Sequence, residues 1–375
     1  MTFAAHISIG ETPDDVRSLF NYECMTRIAA RRPDDHFIFI FDKPWSDTLI
    51  KSKNITPVLL GPALKNKLLQ HYWYQFKLPR VLQKYQANVY VNQDKSACLQ
   101  SNIRQVMVLE DLAFLDPSNL YPARDRRYLK KFFHKFVQKS QCLVLCNESL
   151  SPGMPPSIKK HIRESIHIKP GKPDMQPVRE KALTDVQETC GDKMYFLYPV
   201  TASTSTQLIT ALKAFSIFKK WQQSNMQFLI ASQLPPGALP LQELSNYKYR
   251  TDVQVLYYNE TLRPEETLSQ AYVCVYLPST DQPERIPALA AQLGVPLIRP
   301  DRAFQYAESG EGSAYCAISE KSIADQMMRL YKDEAHRASL RQSALAMARE
   351  LDWEESSRRL EDVLTGGKDR TFALH

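Results

Sequence analysis

Between residues 195 and 220 the chain reads YFLYPVTASTSTQLITALKAFSIFKK. Its chemistry lies in Thr201, Ser203, Thr204, Ser205 and Thr206, a run of hydroxyls behind a short aromatic stretch. Tyr195–Tyr198 is expected to be a buried strand. Leu208, Ile209, Leu212, Phe215 and Phe218 then recur at helical spacing, with Lys213, Lys219 and Lys220 between or after them. A helix that begins just past a strand's carboxyl end offers unpaired N–H groups and a positive dipole end to an anion. In open α/β sheets ligands sit at that end. Ser and Thr are also ordinary N-caps, so capping and anion contact both stand as readings of this turn. The turn has no glycine, the residue that lets backbone approach a phosphate closely.

Other residue groupings point to less. Arg124–Lys139 (RDRRYLKKFFHKFVQK) places Tyr128, Leu129, Phe132, Phe133, Phe136 and Val137 on one helical face and Arg and Lys on the other. Such a helix suits a membrane surface, or it is a surface helix with its phenylalanines in a core. Cys142 and Cys146 lie in an apolar strand-like run and read as buried thiols. Asp116 and Asp125 are carboxylates without metal-ligand spacing, so no metal site is expected. No zinc-finger spacing or aromatic-studded RNA motif occurs, and no nucleic-acid partner is expected. The net charge of +7 is compatible with anionic lipid heads or nucleotides.

These groups need a scaffold of about two domains, given 375 residues with 43% hydrophobic and 24% charged content. Glycine, at 11 residues, is scarce for a phosphate-binding α/β protein. Expected strands are 3–9, Phe37–Phe41, Ile55–Leu60, Asn88–Val91, Gln105–Leu109, Cys142–Cys146 and Ser165–Ile168. Helices are expected at Asp14–Ala30, His71–Tyr85 (broken at Pro79), Arg124–Lys139 and from Ile158. Residues 169–191, opening with KPGKPDMQPV, read as a proline-rich linker followed by an uncertain helix. The second half repeats the rhythm. Strands fall at 195–198, Gln227–Ala231, Val253–Leu256, Val273–Leu277 and Pro296–Ile298, and helices at 207–221, Ile286–Leu293, 321–331, 335–350 and around Trp353 and Leu360. Strands alternating with helices mean parallel sheets covered on both faces: an α/β chain of two doubly wound, Rossmann-like domains facing a cleft. The expected boundaries are 1–170, a linker 171–191, 192–350, and a terminal segment 351–375. With no signal peptide and no apolar run able to span a bilayer, the chain is expected to be cytoplasmic.

Several strings resemble the family 4 (group 1) retaining glycosyltransferases of GT-B fold. These are PDDHFIFIFDKP (33–44), WYQFKLPRVLQKYQANVYV, VLEDLAFLDPSNL (108–120), CLVLCNESLS (142–151), YFLYPV…LITALKAF, AAQLGVPLI (290–298) and LDWEESSRRLEDVL (351–364). The likeness spans nearly the whole chain. It implies a nucleotide-sugar donor, a glycan or lipid-linked acceptor, retention of anomeric configuration, no separate cofactor, and a terminal helix crossing back to the first domain. On the acceptor side it implies Arg17, Ser18, Glu110, Asp111 and Asn147. On the donor side it points to Ser203, Ser205, Thr206, Ser279 and Asp281, with Lys213 and Arg285 as substitutes for the family's basic pair. Asp111, Asp281 and Glu284 are the candidates for catalysis.

The family's chemical motifs are altered in this chain. Its GIGRY turn is matched by Val16–Phe20, and the histidine of its HD pair by Glu110. The serine of its SEFS segment is Asn147, with Glu148 kept. Val200, Ser205, Thr206 and Gln207 replace the glycine and basic group of the donor turn. DQPERIPAL (281–289) keeps the first acid as Asp281 and ends on Leu289 where the family has a ribose-holding carboxylate. Arg299 and Arg302 are further cations, read individually as surface charges. Three functions follow: an active glycosyltransferase with a redrawn donor site; an inactive relative that binds a sugar, nucleotide or partner; or a membrane-surface factor acting through 124–139.

Overall fold

His36–Phe41 is HFIFIF, apolar on both sides of the pleat, which suits a strand covered by helices on both faces. Strands of this kind recur through the chain. The computed structural model describes residues 1–9, 18–61, 67–115, 122–147, 150–201, 203–235, 237, 247–278, 285–301 and 312–366. The chain divides into two compact units, Met1–Gly171 with Asp352–His375, and Lys172–Leu351.

The first unit runs β1 (Thr2–Ile7), α1 (Leu19–Arg31), β2 (His36–Phe41), β3 (Ile55–Leu59), α2 (Lys67–Tyr72), α3 (Leu78–Lys84), β4 (Val89–Asn92) and β5 (Arg104–Leu109). It continues with α4 (Ala123–Lys139), β6 (Cys142–Leu145), α5 (Leu150–Gly153), α6 (Pro156–Lys159) and β7 (Ser165–His167). Its sheet has the order β3-β2-β1-β4-β5-β6-β7, and every pairing is parallel. The chain winds outward from β1 in one direction and returns to add β4 on the other side, so the winding reverses between β1 and β4.

The two faces of this sheet are filled differently. Phe3, Ala5 and Ile7 point toward α1, in a core that also takes Trp353, Leu360, Val363 and Leu364. Ala4, Ile38, Ile40 and Tyr90 pack with Trp73, Tyr74, Leu78 and Leu82 on the other face. Pro79 does not break its helix as the sequence suggested. A π-helical stretch, Trp73–Lys77, loosens the ladder just before it, and Pro79 sits in the first turn of α3, where its missing N–H costs little.

The second unit runs α7 (Glu180–Cys190), β8 (Tyr195–Val200), α8 (Leu208–Gln222), β9 (Gln227–Ser232), β10 (Val253–Tyr257), α9 (Pro264–Ser269) and β11 (Val273–Val275). Then come α10 (Arg285–Leu293), β12 (Leu297–Pro300), β13 (Ser313–Cys316), α11 (Glu320–Lys332) and α12 (Glu334–Glu350). Its sheet, order β10-β9-β8-β11-β12-β13, is also all parallel and reverses between β8 and β11. The uncertain helix of the linker is real: α7 buries Ala182, Val186 and Cys190 against one sheet face. The strand β13 and the helix α9 had no counterpart in the sequence reading. Of the expected helix 14–30, residues 14–17 lie outside the described set, and the described part is Leu19–Arg31.

The last helix, α13 (Trp353–Thr365), belongs to the first unit. Arg31 of α1 reaches Glu354 at 2.8 Å, Glu361 at 2.9 Å and the Ser357 hydroxyl at 2.9 Å. Arg104 donates to the carbonyls of Val363 at 2.5 Å and Leu364 at 3.2 Å, satisfying backbone acceptors that the helix end leaves open.

Candidate functional site

The hydroxyl-rich turn of the second unit leaves the carboxyl end of β8, at the point where that sheet reverses. The Thr201 and Thr204 hydroxyls are turned inward on the turn itself. Thr204 is fully buried. Its Oγ1 accepts the Thr201 N–H at 2.8 Å and donates to the Pro199 carbonyl at 2.8 Å. Thr201 Oγ1 accepts the Ser203 N–H at 3.2 Å, and the Tyr198 hydroxyl donates to the Thr204 carbonyl at 2.7 Å. No side chain caps α8, nor the short 3-10 turn at Ser205–Gln207 that precedes it. The capping reading is therefore corrected: these hydroxyls fix the shape of the turn and leave the helix start uncapped. Ser203 and Ser205 are half-buried and Thr206 is exposed.

The cations expected on the donor side point elsewhere. Lys213, in the second turn of α8, pairs with Glu320 of α11 at 3.2 Å on the exposed surface. Arg285, the first residue of α10, donates to the Asp174 carbonyl at 2.9 Å and to buried Glu265 at 2.6 Å. Arg299 is not a surface charge, since it is buried within β12. Leu289 faces the core beside Ile286 and Ala290, so no polar group replaces the missing carboxylate there. Ser279, Asp281, Glu284 and Arg302 lie outside the described residues.

In the first unit, the winding reverses where the carboxyl ends of β1 and β4 lie side by side. His6, next to last in β1, is buried, and its Nδ1 faces Asp94, just past β4. The Tyr74 hydroxyl donates to the same Asp94 oxygen at 2.6 Å. The Trp73 ring lies 4.9 Å from the imidazole. Burial works to lower the basicity of His6. The Asp94 carboxylate, by charge and hydrogen bond, and Asp42 behind it, outweigh that and raise it above the ordinary histidine value.

Around this pair the loops are tied by side chains. Asn21 of α1 donates to the His6 carbonyl at 3.2 Å, and its own N–H goes to Gln93 at 3.0 Å. Lys95 pairs with Asp111 at 2.7 Å, and the other Asp111 oxygen accepts the Ala113 N–H at 2.9 Å. Asp111 is thus held by a cation and a backbone amide at the end of β5, and Glu110 beside it is half-buried. The Ser18 hydroxyl accepts the Ser8 N–H at 2.7 Å, which joins the loop after β1 to the start of α1. Asn147 is buried past β6, and its carbonyl accepts the Leu150 N–H at 3.1 Å. Arg17 and Glu148 lie outside the described residues.

The sequence reading did not single out His6, Asn92, Asp94 or Lys95. Their signal was present: a histidine in the otherwise apolar FAAHISI, and NQDK directly after the strand-forming VYV.

On α4, Leu129, Phe133, Phe136 and Val137 are buried, and Phe133 packs on Phe114 with ring centroids 5.0 Å apart. Phe132 is half-buried. Lys131 and Lys135 lie over its ring, and His71 hydrogen-bonds Tyr128 at 2.8 Å. No helix among the described residues is long and apolar enough to cross a membrane.

Two all-parallel sheets, each reversing its winding once, define an α/β chain of two Rossmann-like domains. No known family's sequence profile matches it, and no curated protein matches it in sequence. Solved structures match it along almost its full length. Sucrose-phosphate synthase from Thermosynechococcus elongatus superposes with a TM-score of 0.74 at 13% identity, covering 98% of this chain and 99% of that one. WaaG, a glycosyltransferase involved in lipopolysaccharide biosynthesis, gives 0.69 at 12% identity, with 98% and 100% covered. HepE from Anabaena, solved in complex with UDP-glucose, gives 0.66 at 11% identity, with 98% and 100% covered. The fold is the one these GT-B proteins share.

Proposed function

We propose that this chain is a glycosyltransferase that moves a sugar from a nucleotide-sugar to a hydroxyl of a glycan or lipid-linked acceptor. The observation that carries the reading is the full-length likeness to transferase structures, one of them solved with UDP-glucose. The donor is assigned to the second unit. Ser203, Ser205 and Thr206, with the uncapped start of α8, face the diphosphate, and Ser279, Asp281 and Arg285 complete the donor set. The acceptor is assigned to the first unit, near Ser18, Glu110, Asp111 and Asn147. Membership of family 4 and retention of configuration are what the sequence resemblance implies.

One observation favours a second reading, an inactive relative that binds a nucleotide, sugar or partner at a membrane surface. Lys213 and Arg285 are already paired with Glu320 and Glu265, and the turn after β8 carries no basic residue to balance a leaving diphosphate. The basic face of α4 would supply the membrane contact, at the inner face for a cytoplasmic protein.

Thermal melting with UDP, ADP and GDP and their glucose conjugates separates the readings. A ligand at about 100 times its dissociation constant stabilises by about 2.7 kcal/mol, a shift of several degrees. A shift together with nucleotide release from the conjugate supports transfer. A shift without release supports the binding module. No shift with any nucleotide overturns the transferase reading and leaves sugar or partner binding as the leading one.

A further inference from the structure

Release of a nucleoside diphosphate leaves negative charge that the protein must balance. In the second unit the turn after β8 has no cation, and Lys213 and Arg285 are engaged by Glu320 and Glu265. Among the described residues of that unit, two cationic side chains are buried, Lys219 and Arg299. Lys219 belongs to the amino end of the sheet, where its Nζ donates to the Met226 carbonyl at 3.3 Å and pairs with Asp252 at 3.0 Å. Arg299 belongs to the carboxyl end, in β12, with β11 alone between it and β8.

The register fixes its neighbours. Arg299 pairs with Tyr315 of β13. On the other side Cys274 and Val275 pair with Leu297 and Ile298, and the Tyr276 N–H continues the ladder to the Ile298 carbonyl at 2.9 Å. Tyr276, Arg299 and Tyr315 therefore form one row across three strands. Paired residues share a face and alternate residues return to it, so the row lies above Cys274 and Leu297, on the face covered by α10. Burial raises the Cys274 thiol and the Tyr315 phenol, and the Arg299 charge opposes that rise in both, which puts the guanidinium close to them. The row beneath, Leu197, Cys274 and Leu297, carries no charge. Arg299 is thus a buried cation at the edge where sheets of this winding take ligands. Burial strips water from the guanidinium and strengthens its attraction for an anion. Its planar fork matches two oxygens of a phosphate, which a point charge does not.

We propose that Arg299 binds the diphosphate of the nucleotide-sugar, so that the cation missing from the turn after β8 is supplied from β12. The proposal deepens the transferase reading and rests on it. Tyr276 and Tyr315 flank the guanidinium, which makes it a preset cation, unlike the exposed Lys213. The uncapped start of α8 offers backbone N–H groups from the other side of the reversal. The preference that follows is for the phosphates and not for the base or the sugar. A nucleoside lacks the group that Arg299 meets, and a nucleoside diphosphate carries it.

The test uses the full chain with Arg299→Gln and Arg299→Lys. Calorimetry measures affinity for UDP, ADP and GDP and for the matching nucleosides, and melting without ligand shows that each variant folds. For the diphosphate that the wild type binds, Arg299→Gln is expected to weaken affinity about 10–100-fold, the worth of one charge-assisted contact. Arg299→Lys keeps the charge without the fork and should lose less, about three- to tenfold. Nucleoside affinity should be unchanged in both. Unchanged diphosphate affinity in Arg299→Gln overturns the proposal while leaving the transferase reading intact. An equal loss toward the nucleoside also overturns it, because the substitution has then reshaped the site rather than removed a phosphate contact. If Arg299→Gln does not fold, Arg299→Lys decides by the same comparison, and unchanged diphosphate affinity overturns the proposal. If the wild type binds none of the three diphosphates, the transferase reading fails and the proposal fails with it.

Discussion

The chain leaves the first domain after Gly171 and re-enters it at Asp352, and the two crossings lie against each other. A Cβ added at Gly171 would stand 2.3 Å from Trp353 Cγ, 2.4 Å from its Cδ2 and 2.4 Å from its backbone nitrogen. Ordinary carbon contacts lie at about 3.5–4.0 Å, so Gly171→Ala demands a displacement of about 1 Å. None of the three atoms is the end of a flexible side chain. Trp353 is buried in the first domain's core, edge-on to Phe20 with centroids 6.2 Å apart, and Ser356 one turn later donates to the Lys169 carbonyl at 2.6 Å. The indole cannot move without disturbing α13 and α1 together. Overpacking of this kind costs about 1–3 kcal/mol. For a domain of about 200 residues, each kcal/mol lowers the melting temperature by about 2–4 °C, so a loss of about 2–12 °C is expected.

Gly61→Ala is the matched control, because a Cβ there meets nothing within 4 Å. It should leave stability unchanged or raise it by about 0.4–1 kcal/mol through the unfolded chain. The assay is thermal or guanidinium unfolding followed by tryptophan fluorescence. Trp45, Trp73 and Trp353 belong to the first unit and only Trp221 to the second, so the signal reports chiefly the domain under test. If Gly171→Ala unfolds at the same midpoint as wild type, or later, the close packing of the two crossings is refuted.

Thr204→Val keeps the shape but removes the acceptor for the Thr201 N–H and the donor to Pro199, and should cost about 1–3 kcal/mol in denaturant titrations followed at Trp221. Glu266 is buried; burial alone would raise its pKa, but hydrogen bonds from the Arg263 side chain and backbone and from Arg179 hold it below the ordinary carboxylate value. A depressed carboxyl stabilises fully above its unfolded pKa of about 4.3, and loses that contribution as pH falls through the lower folded value. Glu266→Gln should therefore flatten the acid limb of stability measured between about pH 5 and pH 2, and an unchanged limb counts against the pairing. Asn92→Leu removes two unmet polar atoms from an apolar face, so the melting temperature should hold or rise; a large stability loss would mean that Asn92 has structural partners.

Much of the scaffold was legible because parallel strands covered on both faces leave unmistakable apolar runs, as in the FIFIF of β2. What escaped depends on contacts distant in sequence. The helix α9 is PEETLS, polar by composition, yet Glu265 and Glu266 are buried because Arg179, Arg263 and Arg285 converge on them from three segments. Lys213 looked like a cation for the neighbouring turn, and its partner Glu320 lies on another helix.

The site in the first domain was hidden for the same reason, made sharper by topology. Periodicity says where a strand ends but not which strand ends become neighbours. His6 and Asp94 are 88 positions apart and meet only because β4 crosses back to pair with β1. The motifs compared along the sequence were those of β5, β6 and the donor turn, and there the expected chemical residues are replaced or drawn into internal bonds such as Asp111 with Lys95. The buried polar side chains His6 and Asn92, with half-buried Asp94, lie instead at the reversal of the sheet. A buried imidazole oriented by a carboxylate beside a bare amide is costly to keep in an apolar layer.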